Sequence, residues 1–452
     1  MNKVKNIVFI FLCFLLFIIN CSEKPKNINV ILISIDTLRP DHLSCYGYKR
    51  NTTPFLDKIA KDGIIFKNVI SSSSWTAPAM ASLFTSLNSS THKILRGTFR
   101  DGNVYNQEVL QNSLNTIPMI LKKNGFFTMG FANNLILSKK SGFAKGFDVF
   151  VYTRYFNSKK LNETIMNFKN KYLKKDKNFF LWIHYFDPHW PYSAHSPWIE
   201  KYASKKNFEY IDFKTKSTAF LNKYKLDKNN KELLDNLIDR YDSEINFLDE
   251  NIKNLFKALP VEDNNLVIVT ADHGEEFLEH NGFNHGNNLY NQTIRIPLII
   301  KLPAYMNIKK ISIDEDVGII DIFPTILDIL NIPEDSKFEG KSFLSLMKNG
   351  KISGNRVIIS ELYRNNKKII SSTQGRWKYI HYYKTKKTEL FDLKNDKYEI
   401  ENLVDKNPAI SSYLENKINK SLESSKGKKT KTKLVAPDKN TVKALKSLGY
   451  IE

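Results

Sequence analysis

Short apolar runs that end abruptly in a polar residue recur along this chain. The most apolar of them, Val30–Ile35, is rich in β-branched residues and is followed at once by Asp36. Such runs predict strands of a parallel sheet, because helices cover both faces of these strands. We predict three further strands of the same kind, at Phe179–Ile183, Leu266–Thr270 and Pro297–Lys301.

Helical spacing of apolar residues occurs between these runs. The clearest case is Tyr241–Phe256, where one apolar face is formed by Ile245, Leu248, Ile252 and Leu255. We interpret these four residues as core residues, because they recur at the period of an α-helix. Strands that alternate with helices predict an α/β fold with a large, mostly parallel sheet flanked by helices.

The pattern changes near Asn349–Lys351, where we expect the main domain, residues 29–350, to end. The remaining residues, 351–452, are predicted to form a smaller α+β subdomain. Its predicted elements are the strands Arg356–Ser360, Arg376–Ile380 and Glu389–Leu393 and a helix around Ala409–Ser421.

The N-terminus has the pattern of an export signal. Lys3 and Lys5 precede the apolar run Ile7–Ile19, which is too short to span a bilayer comfortably. The run ends at Cys21 in a sequence that resembles a relaxed bacterial lipoprotein box. We therefore predict a signal peptide over 1–21, acylation of Cys21, a linker over 22–28, and an exported, membrane-anchored lipoprotein in the periplasm or at the cell surface. An uncleaved anchor is the alternative.

Net charge and cysteine content restrict the partners and the covalent cross-links. The 452 residues include 68 Lys and Arg and 47 Asp and Glu, a formal charge of +21. The lysines are scattered, and the densest cluster, Lys426–Lys433, lies in a Ser/Thr-rich stretch typical of a solvated loop. We therefore expect no nucleic-acid partner. Only Cys45 remains after the signal, so we expect no intramolecular disulfide.

Candidate chemistry follows two of the predicted strands. Asp36 follows the first, and Asp272 and His273 follow Leu266–Thr270. The carboxyl ends of parallel strands meet at one edge of the sheet, where α/β proteins bind ligands. Two buried carboxylates beside an imidazole are costly unless a divalent cation offsets their charge. The sequence therefore predicts a metal site, although each strand end could instead be a plain polar loop.

A hydroxyl residue, Thr76, precedes Pro78 at the start of an apolar segment. Because proline is tolerated in the first turn of a helix, we predict that a helix begins at Thr76. A helix N-terminus stabilises an alkoxide or a bound anion, so Thr76 is a candidate nucleophile. The simpler alternative is an N-cap threonine. His189, and with less support His184 and His285, are candidates for substrate contact or acid–base catalysis.

These residues together resemble the sulfatase family of the alkaline-phosphatase superfamily over nearly the whole mature chain. Asp36–Gly47 is similar to the family's opening metal-binding strand, Trp75–Thr85 to its nucleophile helix, Phe180–Tyr192 to its substrate-histidine loop, and Asp272-His273 to its late metal ligands. The resemblance implies an alkaline-phosphatase-like fold and one or two divalent metal ions: Zn²⁺, Mn²⁺ or Ca²⁺. The implied metal ligands are Asp36, Thr76, Asp272 and His273, and the implied catalytic residues are Thr76, His189, His285 and His184.

The chain also departs from the family pattern. Typical members carry Cys or Ser in Cys/Ser-x-Pro-x-Arg and convert it to formylglycine, whereas this chain has Thr76 and Met80 at the matching positions. Oxidation of threonine would give a ketone, so that modification is not available. Thr37 replaces a second Asp, and Thr128–Asn134 lacks the usual Lys-x-His. The spacing of His285 resembles that found in zinc-dependent lipid phosphoethanolamine transferases, whose nucleophile is an unmodified threonine.

Three functions remain open from the sequence. The first is metal-dependent hydrolysis of sulfate or phosphate esters of envelope or extracellular glycans or lipids. The second is phosphoethanolamine-type transfer, which usually brings several transmembrane helices, and none follows Cys21. The third is a non-catalytic binding lipoprotein, which the presence of the candidate metal ligands disfavours. The expected partners are a sulfated or phosphorylated glycan or lipid and, through the lipid anchor, a membrane.

Overall fold

The computed structural model describes residues 28–447 except for 103, 154–156, 174–177, 204–230, 261–262, 309–310, 351–355 and 429. The predicted signal peptide, with Cys21, lies outside the described residues. Within them, no helix combines the length and the apolar character that a membrane span needs.

The strands of the described residues are, in chain order, β1 (Val30–Ile35), β2 (Ile64–Ile70), β3 (Thr98–Asp101), β4 (Val104–Val109), β5 (Phe127–Ala132), β6 (Val149–Tyr152), β7 (Phe179–Tyr185), β8 (Leu266–Ala271), β9 (Glu276–Phe277), β10 (Phe283–Asn284), β11 (Arg295–Lys301), β12 (Ser312–Gly318), β13 (Ile358–Arg364), β14 (Lys367–Gln374), β15 (Trp377–Tyr382), β16 (Lys387–Asp392) and β17 (Lys433–Val435). The helices are α1 (Pro54–Lys61), α2 (Thr76–Thr85), α3 (Ser89–His92), α4 (Ile117–Lys123), α5 (Ser158–Tyr172), α6 (Lys231–Ala258), α7 (Asn291–Ile294), α8 (Ile322–Leu330), α9 (Leu344–Asn349), α10 (Pro408–Lys426) and α11 (Lys439–Ser447).

An eight-stranded sheet with the order β12-β2-β11-β8-β1-β7-β5-β6 forms the centre of the described chain. Strand β1 lies between β7 and β8 and runs parallel to both. The predicted α/β class is confirmed. The predicted strand Pro297–Lys301 exists, but β11 begins at Arg295 and runs antiparallel to both neighbours. The segment that joins β8 to β11 contains only short elements, so the chain returns without the long helical crossover that a parallel connection requires.

Helix α6 is longer than the sequence pattern predicted, because it spans Lys231–Ala258 rather than Tyr241–Phe256. The extra turns continue the apolar face through Leu237, which is fully buried. The predicted core positions on this helix are confirmed as buried: Ile245, Leu248, Ile252 and Leu255. Each such side chain contributes about 1.5–3 kcal/mol of burial free energy, which fixes α6 against the rest of the core.

A four-stranded antiparallel sheet, β13-β14-β15-β16, forms the C-terminal subdomain together with α10. Three of these strands were predicted, with bounds that differ by a few residues, whereas β14 was not. β14 is rich in lysine and hydroxyl residues and therefore lacks an apolar run. A small second core lies between this sheet and α10: Ile359, Ile370, Tyr379, Leu390, Leu414 and Ile418. A three-stranded sheet, β17-β4-β3, was also not predicted.

Candidate active site and metal centre

The central strands bring the candidate metal ligands to one edge of the large sheet. Asp36 follows β1, Asp272 follows β8, and His184 lies near the carboxyl end of β7. These three strands are neighbours in the sheet and run parallel, so their carboxyl ends meet at its middle. The predicted convergence of the first two residues thus occurs in the structure, and His184 joins them.

One ligand atom from each of Asp36, His184 and Asp272 lies within 4.8 Å of the others. All three side chains are fully buried. Asp36 Oδ1, Asp272 Oδ2 and His184 Nε2 have no hydrogen-bond partner among the described residues. Buried polar atoms without a partner are costly, and a divalent cation would supply the missing one. The side chains present therefore fit a metal ion.

His273 and Thr76 complete the cluster. His273 Nε2 lies 3.7 Å from Asp36 Oδ1, 3.5 Å from Asp272 Oδ2 and 3.2 Å from Thr76 Oγ1. His273 Nδ1 lies 3.0 Å from the carbonyl oxygen of Gly274, to which it can only donate. In the neutral ring, Nε2 then carries a lone pair that faces the carboxylates. All four predicted metal ligands are therefore brought together.

Backbone and side-chain donors hold the two carboxylates in place. Asn134 Nδ2 donates to Asp36 Oδ2 at 2.7 Å. Asp272 Oδ1 accepts hydrogen bonds from the backbone N–H of Thr37, at 3.2 Å, and of His273, at 2.8 Å. Such outer contacts orient metal ligands and fix their charge. The sequence analysis missed Asn134 as a functional residue, although it follows β5 at the same edge of the sheet.

His184 has an outer partner of its own. Its Nδ1 lies 2.9 Å from Ser34 Oγ, which accepts a hydrogen bond from Trp182 Nε1 at 3.0 Å. Ser34 Oγ also lies 3.4 Å from the carbonyl oxygen of Ile183. If the hydroxyl donates to this carbonyl, His184 Nδ1 donates to the hydroxyl and Nε2 is left as a ligand atom. His184 was predicted as a catalytic residue, and its position also makes it a candidate metal ligand.

Thr76 begins α2, as predicted, and Pro78 lies in the first turn of that helix. The N-cap position belongs to Trp75, and no side-chain capping bond is present there. The Thr76 hydroxyl instead contacts His273. The N-cap alternative for Thr76 is therefore wrong. Met80, at the position of the family's arginine, is fully buried in the apolar core.

Two more histidines line the site next to His273. The ring centroids of His273 and His285 are 4.4 Å apart, and those of His285 and His189 are 4.9 Å apart. His285 Nδ1 lies 2.9 Å from Glu275 Oε1, and the Tyr192 hydroxyl donates to Glu275 Oε2 at 3.1 Å. The structure thus brings all the predicted catalytic histidines together and adds Glu275 as the partner of one of them.

Burial shifts the ionisation of these groups. It raises the pKa of Asp272 to about 6, and the Asp36 carboxylate adds to the rise. Burial alone would also raise the pKa of Asp36, but the neighbouring histidines, His189 foremost, bring it below its ordinary value. Burial lowers the pKa of His189 to about 4, lowers that of His285, and raises that of Glu275 well above its ordinary value. The site therefore favours the ionised form of Asp36 and disfavours that of Asp272, and a bound cation would offset this penalty for Asp272.

Sequence comparisons identify relatives along most of the chain. The sulfatase family model matches residues 28–332, and that of the C-terminal region of N-sulphoglucosamine sulphohydrolase matches residues 279–428. An uncharacterized sulfatase of Escherichia coli is 23% identical over 439 residues, 84% of each chain. Arylsulfatase K of Mus musculus is 30% identical over 164 residues, which cover 34% of this chain and only 29% of that protein.

Solved structures share the fold. A 2-O GAG sulfatase superimposes with a TM-score of 0.73 and 18% identity, over 92% of this chain and 96% of the other. A protein solved in complex with its substrate D-glucosamine-2-N,6-O-disulfate gives a TM-score of 0.71 and 18% identity, over 89% and 99% of the two chains. The alkaline-phosphatase-like fold predicted from the sequence is thereby confirmed. Since the sulfatase family model covers about two thirds of its residues, this chain belongs to the sulfatase family.

Proposed function

We propose that this chain is a metal-dependent hydrolase that cleaves sulfate esters of glycans with Thr76 as its nucleophile. One observation carries the proposal: the Thr76 hydroxyl lies 3.2 Å from His273 Nε2, at the start of a helix and beside buried ligand atoms that have no hydrogen-bond partner in the described part of the chain. Membership of the sulfatase family and the sulfated sugar bound by a structural neighbour support a sulfated glycan as the substrate.

The metal would be held by the five residues of the cluster: Asp36, Thr76, His184, Asp272 and His273. Two carboxylates with two imidazoles suit Zn²⁺ or Mn²⁺ better than Ca²⁺, which prefers an all-oxygen set. A bound divalent cation would supply Lewis acidity at the nucleophile and at the ester oxygens.

The protein groups around Thr76 can carry the bond-making step. Thr76 Oγ1 attacks sulfur, the bond between sulfur and the sugar oxygen breaks, and a sulfate ester of Thr76 forms. The hydroxyl proton is lost to water, because the lone pair of His273 Nε2, 3.2 Å away, would be occupied as a metal ligand. The N-terminal end of α2 stabilises the negative charge that develops beside it. Water then hydrolyses the ester, because an unmodified threonine cannot expel the sulfate by itself.

The leaving sugar oxygen needs a proton, and we assign its donation to His285. Its Nδ1 is paired with Glu275, and both pKa shifts favour the neutral forms of the two groups. When the Glu275 carboxyl holds a proton, it donates to Nδ1, so that His285 Nε2 carries the hydrogen of the neutral ring. Nε2 can then donate to the leaving oxygen, and Glu275 replaces the proton. We assign His189 a contact with the substrate.

Kinetics with a panel of aryl sulfates and sulfated sugars test the proposal. Thr76→Ala should lower kcat by at least about a thousandfold, whereas Thr76→Ser should retain measurable turnover because it keeps the hydroxyl. Thr85→Ala is the matched control. Its hydroxyl, in the same helix, donates to the Ala81 carbonyl oxygen at 2.7 Å. Equal turnover by Thr76→Ala and Thr85→Ala would exclude Thr76 as the nucleophile.

Phosphate ester hydrolysis is the second candidate. The specific observation that favours it is threonine at the nucleophile position, where Thr76 stands in place of the family's Cys or Ser. A threonine ester must be hydrolysed or passed to an acceptor, and this suits phosphorus better than sulfur. Aryl phosphates and a phosphoethanolamine donor therefore belong in the same panel. Faster turnover of phosphates, or transfer to an added alcohol, would replace sulfate hydrolysis as the assignment.

We also propose that the enzyme is exported and anchored by a lipid on Cys21. The support is the charged start, the short apolar run and the cysteine at its end. Cys21→Ala should release the protein from the membrane fraction or leave it as an unprocessed precursor. If this variant is processed and fractionates like the unmutated protein, the anchor is not a lipid on Cys21.

A further inference from the structure

A tight hairpin of the C-terminal subdomain presents two basic residues at its tip. Arg364 ends β13 and Lys367 begins β14, and the two residues pair across the hairpin. The turn between them is Asn365-Asn366, with φ values of 49° and 58°. Two consecutive left-handed residues are the signature of a two-residue turn that matches strand twist, and asparagine tolerates this conformation. The backbone therefore fixes the spacing of the two cations.

This hairpin packs against the candidate active site. The Arg364 guanidinium lies 3.9 Å from the ring centroid of Trp75, the residue before Thr76, and its Nη1 donates to the His285 carbonyl oxygen at 3.4 Å. Lys367 Nζ donates to the Asn287 carbonyl oxygen at 3.3 Å. Arg364 is half-buried and Lys367 is exposed. The two cations thus lie at the solvent side of the loop that carries His285.

Along the series of contacts that begins at Thr76, Arg364 comes after His285. The ring of His273 is next to the nucleophile, the ring of His285 is 4.4 Å from that of His273, and Arg364 contacts the backbone of His285 and the indole before Thr76. A guanidinium carries five N–H groups, so Arg364 can bind an oxyanion in addition to the His285 carbonyl oxygen.

We propose that Arg364, assisted by Lys367, binds a second oxyanion of the substrate, a further sulfate or a carboxylate beside the ester that is cleaved. The inference rests on the proposed function, since it concerns the same substrate. It gives this chain selectivity for multiply charged sugars over sugars that carry a single sulfate. The charge of Arg364 already acts at the tip of the hairpin, because after burial it lowers the pKa of Lys367.

Binding measurements on the metal-loaded Thr76→Ala protein test the inference without turnover. The probes are glucose 6-sulfate, glucosamine 2-N,6-O-disulfate and glucuronic acid 2-sulfate, which offer no second anion, a second sulfate and a carboxylate. When Arg364→Met is combined with Thr76→Ala, the Kd for one or both doubly charged probes should rise by about tenfold, which corresponds to the loss of one charge-assisted hydrogen bond. The Kd for the singly charged probe should rise by a clearly smaller factor. The probe with the larger loss identifies the oxyanion.

Lys368→Met is the matched control, because it removes one cation from the same hairpin. The Lys368 ammonium lies 4.1 Å from the ring centroid of Tyr383 and its side chain points to the opposite face of the sheet from Lys367. Lys368→Met should leave all three Kd values unchanged. Arg364→Lys should recover only part of the affinity, since an ammonium cannot bind in bidentate fashion. The salt dependence of Kd for the doubly charged probes should weaken in Arg364→Met but not in Lys368→Met.

The outcomes separate this inference from the proposed function. Equal loss of affinity for all three probes in Arg364→Met, or equal effects of Arg364→Met and Lys368→Met, overturns the role of Arg364. In that case the proposed function is unaffected, because it is tested separately by turnover of sulfated sugars by the protein with Thr76 intact. If the intact protein cleaves none of the probes and Thr76→Ala binds none of them, both the proposed function and this inference are wrong.

Discussion

Asp272→Asn should change the stability of the protein in opposite directions with and without metal. In the metal-free protein, Asp272 and Asp36 are two fully buried carboxylates within one small cluster. Burial, with the charge of Asp36, raises the pKa of Asp272 from 3.8 to about 6. At about 1.4 kcal/mol per pKa unit, ionised Asp272 costs the metal-free protein on the order of 3 kcal/mol at pH 8.

The sign follows from the direction of the shift. The folded protein binds a proton at Asp272 more tightly than the unfolded chain does, so metal-free stability falls as pH rises from about 4 to about 6 and stays low above it. Asparagine removes this cost. Its Oδ1 can still accept from the N–H groups of Thr37 and His273, and its amide can donate towards His273 Nε2, which lies 3.5 Å from Asp272 Oδ2.

Metal should reverse the order. A cation at a thousandfold excess over its Kd stabilises the unmutated protein by about 4 kcal/mol, whereas Asp272→Asn has lost a charged ligand and gains much less. Urea or thermal unfolding at pH 8, first with a chelator and then with Zn²⁺ or Mn²⁺, measures the stability of both proteins without and with metal. We expect the variant to be the more stable protein in chelator and the less stable one in metal. A variant that is less stable by the same amount under both conditions would refute the metal assignment.

Two further predictions concern the donor that positions Asp36 and a second pair of buried carboxyl groups. Asn134→Ala removes the 2.7 Å donor to Asp36 and should weaken metal binding by about tenfold in calorimetric titration, whereas Asn133→Ala should not; equal effects would contradict the positioning role. Glu244→Gln addresses a second buried carboxyl pair, in which burial raises the pKa of Glu244 and brings that of its hydrogen-bonded partner Asp187 to about 6. We expect the free energy of unfolding of the unmutated protein to fall between pH 4 and pH 7, and that of Glu244→Gln to fall less. An equal fall in the two proteins would exclude this pair as the cause.

The sequence was most informative where a general rule of α/β folds applies. Asp36 and Asp272 each follow an apolar run, and the carboxyl ends of neighbouring parallel strands meet at one edge. Thr76 was placed at a helix start because proline two residues later suits the first turn of a helix. The large sheet followed from the same runs, but the antiparallel direction of β11 did not, because a run of apolar residues carries no direction.

Residues that act through tertiary packing were not predictable in this way. His184 lies inside β7, and its position as a candidate ligand depends on the register that pairs it with Ser34 of β1. Asn134 is one of two adjacent asparagines, and only the structure shows that it donates to Asp36. Arg364 reaches Trp75 from a different subdomain, through a hairpin whose second strand, β14, is too polar to be recognised.

The central claim is that Thr76 becomes covalently esterified during turnover. Mass spectrometry of the acid-quenched enzyme, digested to the peptide that contains Trp75 and Thr76, tests it most directly. We predict a mass increase of one sulfuryl group on this peptide while substrate is being consumed, its presence in Thr85→Ala and its absence in Thr76→Ala. Steady turnover of substrate by Thr76→Ala, with this peptide unmodified in the unmutated enzyme, would contradict the account.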